Sequence, residues 1–188
     1  MRTIQTTLYT LAELKTLFPD AYQRAFERYQ RDVTTWETPW QDETMASLKA
    51  VAKCLGFTLR DWSIGPYSRN SYVRASGDYE TEDLSGGRAL AIARSKLRNA
   101  GFRLGKGPAA SVKFNGDCPL TGYCADDDAA EHVWKALLSG DTLKEAVESL
   151  ADWAQGVLEA ECEYQQGKEA FETWAGDLEF DENGNEAG

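Results

Sequence analysis

The sequence predicts an α+β chain, predominantly helical, with a small antiparallel sheet built on one hairpin. Three observations carry that expectation. Apolar residues recur at helical spacing over several long segments. Two short segments with strand character flank a Gly-Pro turn. The C-terminal third holds one long amphipathic helix. The 188 residues, 42% hydrophobic and 11% aromatic, suffice for one core, so a single domain over 1–188 is expected. Within it, 1–125 reads as a mildly basic α+β part and 126–188 as a strongly acidic helical part with a loose tail.

Ile4 to Tyr9 is rich in β-branched residues and reads as a short strand. Thr10-Leu11-Ala12-Glu13 has the form of a capping box, so a helix starts there. Pro19 and Asp20 suit the first turn of a second helix, which buries Ala21, Tyr22, Ala25, Phe26 and Tyr29 and exposes Arg24, Glu27, Arg28 and Arg31. A third helix runs from near Pro39 to Cys54 on a stripe that includes Met45, Leu48, Val51 and Ala52, with Gly56 as its C-terminal cap. Phe57–Ile64 and Ser71–Ala75 form the hairpin, and a polar loop over Gly77–Gly87 leads into a helix over Arg88–Ala100. Gly101 to Pro108 reads as a flexible hinge, and Ser111–Phe114 as a further strand. Asp126, Asp127 and Asp128 suit a helix N-terminus before a helical 129–138. The longest helix starts at Asp141 or Thr142 and reaches Gln166 on the stripe Leu143, Ala146, Val147, Leu150, Ala154, Val157 and Leu158. Asp181-Glu182-Asn183-Gly184 marks a turn in the tail.

Charge and composition exclude several classes. The net charge of −11 disfavours a protein uniformly adapted to phosphate or anionic lipid. Mean hydropathy is −0.52, and no apolar run approaches the ~18 residues of a membrane span. The first ten residues lack the apolar stretch of a secretory signal, and four scattered cysteines fit a reducing cytoplasm. The charge is unevenly placed: 17 basic and 13 acidic residues in 1–125 give +4, and 3 and 18 in 126–188 give −15. From Leu84 to Gly116 there are seven cations and no acid.

Catalytic and metal motifs are lacking. His132, the one histidine, lies in a predicted helix with no serine or cysteine motif beside it, and no phosphate-binding loop is present. Cys118 and Cys124 stand too far apart for a zinc knuckle, and Cys54 and Cys162 would have to join from distant helices. No enzyme, cofactor or metal site is expected.

Two charged features remain. Arg60, Trp62, Tyr67, Arg69, Tyr72 and Arg74 fall on the hairpin, with Tyr72 and Arg74 on one face, and Arg88, Arg94 and Arg98 share a broad side of the next helix. Aromatics interleaved with cations are what single-stranded nucleic acid needs, and half-buried sheet aromatics give the same pattern. Glu145, Glu148, Asp152, Glu159 and Glu163 form an acidic ridge on the long helix. Carboxylates fixed along a helix can imitate phosphates, and a solvated face gives the same pattern. The net charge favours the ridge.

The series Leu8-Tyr9-Thr10, Ala21-Tyr22-Gln23-Arg24-Ala25, Tyr29, Trp36, Ser47-Leu48-Lys49 and Asp61-Trp62-Ser63-Ile64-Gly65-Pro66-Tyr67 resembles, in order, small proteins of tailed bacteriophages. Asp117 to Cys124, Tyr164-Gln165 and Leu178 to Gly184 extend the likeness over most of the chain. Such proteins commonly carry the label of antitoxin in a toxin–antitoxin system. The resemblance implies a phage product in the bacterial host cytoplasm, aimed at a host system. This chain lacks a separate DNA-binding segment followed by a disordered tail, which favours a compact inhibitor over a typical antitoxin. The expected function is therefore a non-enzymatic protein that binds and inhibits a host protein in nucleic-acid-directed defence, as an anti-CRISPR would. The ridge would be the contact and Trp153 or Trp174 an apolar anchor. The alternatives are an antitoxin and a single-strand binder using Arg69, Tyr72, Arg74, Arg88, Arg94 and Arg98. Exposed tryptophans suit a homodimer as well as a foreign partner.

Overall fold

The computed structural model describes residues 7–33, 41–65, 70–105, 111–113, 119–123 and 125–187. The elements are β1 (Tyr9–Thr10), α1 (Leu11–Leu17), α2 (Pro19–Val33), α3 (Gln41–Cys54), β2 (Thr58–Ser63), β3 (Tyr72–Ser76), α4 (Gly86–Asn99), β4 (Arg103–Leu104), β5 (Val112–Lys113), α5 (Ala125–Ser139), α6 (Leu143–Glu148), α7 (Leu150–Gln165), α8 (Lys168–Trp174) and β6 (Glu179–Phe180). The strands pair in antiparallel twos, β1 with β6, β2 with β3 and β4 with β5, so the fold is helical α+β with small sheets. Contacts divide the chain into two compact units, 1–38 with 160–188, and 39–159. The compositional boundary at 125/126 lies inside the second.

In the first unit the expected capping box forms. Thr10 Oγ1 accepts from the Glu13 N–H, and the Glu13 carboxylate accepts from the Thr10 N–H. The apolar face of α2 closes on α8, where Phe171 is fully buried and the rings of Tyr22, Phe26 and Tyr29 lie 5.3–5.5 Å from it. The tail is not loose, contrary to its acidic composition. β6 pairs with β1, Phe180 is buried, and the Asp181 carboxylate accepts from Asn183 and Asn185. Arg24 and Arg28 of α2 then donate to the carbonyls of Asn183 and Gly184. The expected turn exists, and its own hydrogen bonds hold it where mere polarity predicted fraying. The strand anticipated over Ile4–Tyr9 is seen only at its end, in β1; residues 1–6 lie outside the described ones.

In the second unit α3, α4, α5, α6 and the start of α7 enclose one core that includes Leu48, Val51, Leu97, Val133, Trp134, Leu143 and Leu150. α3 ends as expected at Gly56, whose positive φ lets the Phe57 N–H reach the Ala52 carbonyl and the Gly56 N–H reach Lys53. The same device ends α4 at Gly101, with Phe102 bonded to Leu97. Gly101 is thus a cap rather than a hinge, and Phe102 is buried beside β4. Residues 106–110 lie outside the described ones.

The long helix over 141–166 is interrupted. α6 starts on a Thr142–Glu145 capping box, as expected, and ends at Ser149, where α7 begins. The Ser149 hydroxyl donates to the Ala146 carbonyl and lies 3.1 Å from His132 Nε2 on α5. A side chain bonding back to its own helix loosens the local ladder. The apolar stripe continues through the break, so periodicity alone reads one helix. α5 starts at Ala125 with the three aspartates in its first turn.

Candidate functional site

In the second unit the ridge carboxylates have different surroundings. Glu145 is exposed, and its carboxylate accepts from the Thr142 N–H and hydroxyl at 2.9 Å, which lowers its pKa. Asp152 and Glu159 are exposed on α7, seven residues or about 10.5 Å apart along the axis. Gln155 Nε2 donates to Glu159 at 2.7 Å and to the Gly65 carbonyl, tethering that carboxylate to a fixed side chain. Among the described residues none of these three acids is ion-paired with a lysine or arginine.

Glu148 departs from the set. It is half-buried, and its Oε1 accepts from the Ala75 N–H of β3 at 3.0 Å, so it serves the sheet rather than an outer row. Glu163 is exposed on the part of α7 that belongs to the first unit. The structure thus brings Glu145, Asp152 and Glu159 to the surface of one unit and takes Glu148 out of the row. Trp153 is half-buried against the core of the second unit; Trp174, in the first, is 42% exposed and packs on Tyr29 and Phe171.

The basic constellation is divided. Arg69 lies outside the described residues. Tyr72 and Arg74 share the outer face of β3, as alternation predicts, with the guanidinium 5.6 Å from the ring centroid. The Tyr72 hydroxyl donates to Asp61 at 3.1 Å, which sets a carboxylate beside the expected phosphate site. Arg94 lies 5.5 Å from the Trp134 ring, and Arg88 and Arg98 are exposed on α4. These three make no ion pair among the described residues.

A second basic-aromatic place was not singled out in the sequence. Lys49 and Lys53 of α3 line a groove of about 410 Å³ with Phe57, Thr58, Leu59 and Trp62. Lys49 Nζ lies 4.7 Å from the Trp62 ring centroid, and Trp62 is 42% exposed. The available signal was two lysines four residues apart, off the apolar stripe of α3.

His132 is half-buried against Ser149, and burial lowers its pKa against the opposing pull of Ser149 and Asp152. Burial pushes the Cys54 thiol up, and Cys54 Sγ donates to the Lys96 carbonyl. Among the described residues no three His, Cys, Asp or Glu side chains gather as a metal site; Cys118 and Cys124 lie outside them. No helix among them is long and apolar enough to cross a membrane.

By unit, the charge is redistributed relative to the chain order. Residues 1–38 and 160–188 carry 6 basic and 14 acidic side chains, −8, and 39–159 carry 14 and 17, −3, which together restore −11. Comparison with protein-family models, curated proteins and solved structures finds no match for this chain.

Proposed function

We propose that this protein is a non-catalytic inhibitor that binds a nucleic-acid-handling protein of the bacterial host, in the manner of an anti-CRISPR or other counter-defence protein. The contact is the acidic face of α6 and α7. One observation carries the reading: Glu145, Asp152 and Glu159 are exposed and free of ion pairs with lysine or arginine among the described residues, and two of them are held by their own chain. Charges fixed before binding lose little side-chain entropy on association, and such a row competes with phosphates for a basic groove. An antitoxin that caps a basic toxin would use the same face. The single-strand reading through Tyr72 and Arg74 is weaker, because Asp61 occupies their surface.

The test is capture of host proteins by the tagged chain, with nuclease, followed by assay of the captured protein's nucleic-acid binding. The combined variant Asp152→Lys/Glu159→Lys should lose capture and inhibition while keeping its circular dichroism. Inhibition retained by that folded variant would sink the proposal.

A further inference from the structure

The edge of β2 between α3 and Trp62 has the features of a peptide-binding groove. In the β2–β3 pair Leu59 faces Ala75 and Trp62 faces Val73, with a bulge at Arg60 keeping the two positions in phase. The Ala75 N–H points away from β2, to Glu148. Leu59 and Ala75 are therefore a non-hydrogen-bonded pair, and so are Trp62 and Val73, two residues along β3. In such pairs the main-chain groups of β2 point outward, so Leu59 and Trp62 present N–H and C=O groups on the strand's second edge. Among the described residues nothing bonds them there. The edge of β3, by contrast, is closed at Ala75 by Glu148.

The open edge lies beside cations. After the reversal at Gly56, Lys49 lies against Trp62 and Lys53 lines the same groove as Thr58, so the lysines accompany the strand along its length. Phe57 and Leu59 supply apolar lining, and among the described residues no acid lines the groove. The two lysines are one helical turn, about 6 Å, apart along the α3 axis. Alternate residues of an extended strand are about 6.6–6.8 Å apart, so two carboxylates on one face of a bound strand would meet the two ammonium groups.

We infer that this groove binds an extended acidic peptide segment of a partner protein, which adds a strand to β2 and sets alternate carboxylates on Lys49 and Lys53. Trp62, which lines the groove with the lysines, packs against the aliphatic stems of those two acidic side chains. The inference is independent of the acidic face of α6 and α7.

The experiment is fluorescence anisotropy of a labelled eight-residue peptide alternating glutamate and valine, titrated with the full chain at low salt. Saturable binding is expected, weakened at least tenfold by Lys49→Glu/Lys53→Glu and by Trp62→Ala, and lost when alternate peptide nitrogens are methylated. The lysine variant alters exposed side chains only, and Lys49→Gln/Lys53→Gln with unchanged circular dichroism serves as its check. Methylation separates strand addition from charge attraction. The inference is overturned by absence of binding at millimolar protein, by equal binding of the methylated peptide, or by tighter binding of an eight-residue oligothymidylate at the same salt.

Discussion

Glu148 and Asp152 lie one helical turn apart on the same predicted ridge, yet the structure assigns them different work, and this separates fold from function by mutation. Glu148 accepts from the Ala75 N–H at 3.0 Å, and Ala75 is 5% exposed. A hydrogen bond to a charged acceptor contributes about 1.5–3 kcal/mol, and the half-buried position of Glu148 puts it at the lower end. Glu148→Ala loses this bond and leaves the buried N–H without its acceptor, one and the same loss, so its cost is about 2 kcal/mol. With a urea slope of about 2 kcal/mol/M, the unfolding midpoint should fall by about 1 M. Glu148→Gln, which keeps a carbonyl oxygen as acceptor, should lose about half as much, and Asp152→Lys should stay within about 0.5 kcal/mol of the parent. Urea unfolding followed by circular dichroism measures all three, and hydrogen exchange at Ala75 reports the bond directly. A Glu148→Ala midpoint within about 0.25 M of the parent would refute the reasoning, as would an Asp152→Lys cost equal to it.

Phe171→Ala removes the ring at the centre of the first unit's aromatic cluster and should cost about 3–5 kcal/mol, seen as an early loss of near-ultraviolet dichroism. Gly184 has φ +81°, and a Cβ there would run into the Ala21 carbonyl, so Gly184→Ala should release the β6 turn to limited proteolysis while the second unit stays resistant. For His132, burial lowers the folded pKa below its ordinary 6.5, so the unfolded chain binds the proton more readily. Its stabilising contribution is complete above pH 6.5 and declines as pH falls through 6.5 toward the folded value. Ser149, Asp152 and Lys135 face the ring, and the first two oppose the shift. His132→Asn should flatten the stability profile between pH 5 and 7; an unchanged slope would remove His132 as its source.

Wherever a local rule decides the backbone, it was legible in the residues. The capping boxes at Thr10 and Thr142, the start of α2 at Pro19, the buried stripe Ala21 to Tyr29 and the stop at Gly56 rest on contacts three to five residues apart, and all of them form. Alternation likewise placed Tyr72 and Arg74 on one face of β3. Periodicity also assembled the ridge, because helical spacing states which residues share a side. It does not state what waits on that side, and for Glu148 the answer is a main-chain N–H from 73 residues earlier in the chain.

The rest was decided by contacts distant in sequence, to which composition and spacing are blind. The acidic tail is held by Tyr9 and Thr10 and by two arginines of α2, so its polarity said nothing about its order. At the break the Ser149 hydroxyl meets His132 of α5, a partner 17 residues earlier in the chain. Lys49 and Lys53 gain meaning only when Gly56 folds β2 back alongside them, and Arg94 is engaged because Trp134 lies beneath it. The residues alone fixed helices α1 to α5, the capping boxes at Thr10 and Thr142 and the stop at Gly56, since these follow from neighbours within a turn or two; α8, the cap at Gly101 and the break at Ser149 were not among them. The tertiary structure alone decided which charges stay unpaired among the described residues, because a charge stays so only if no distant group has claimed it.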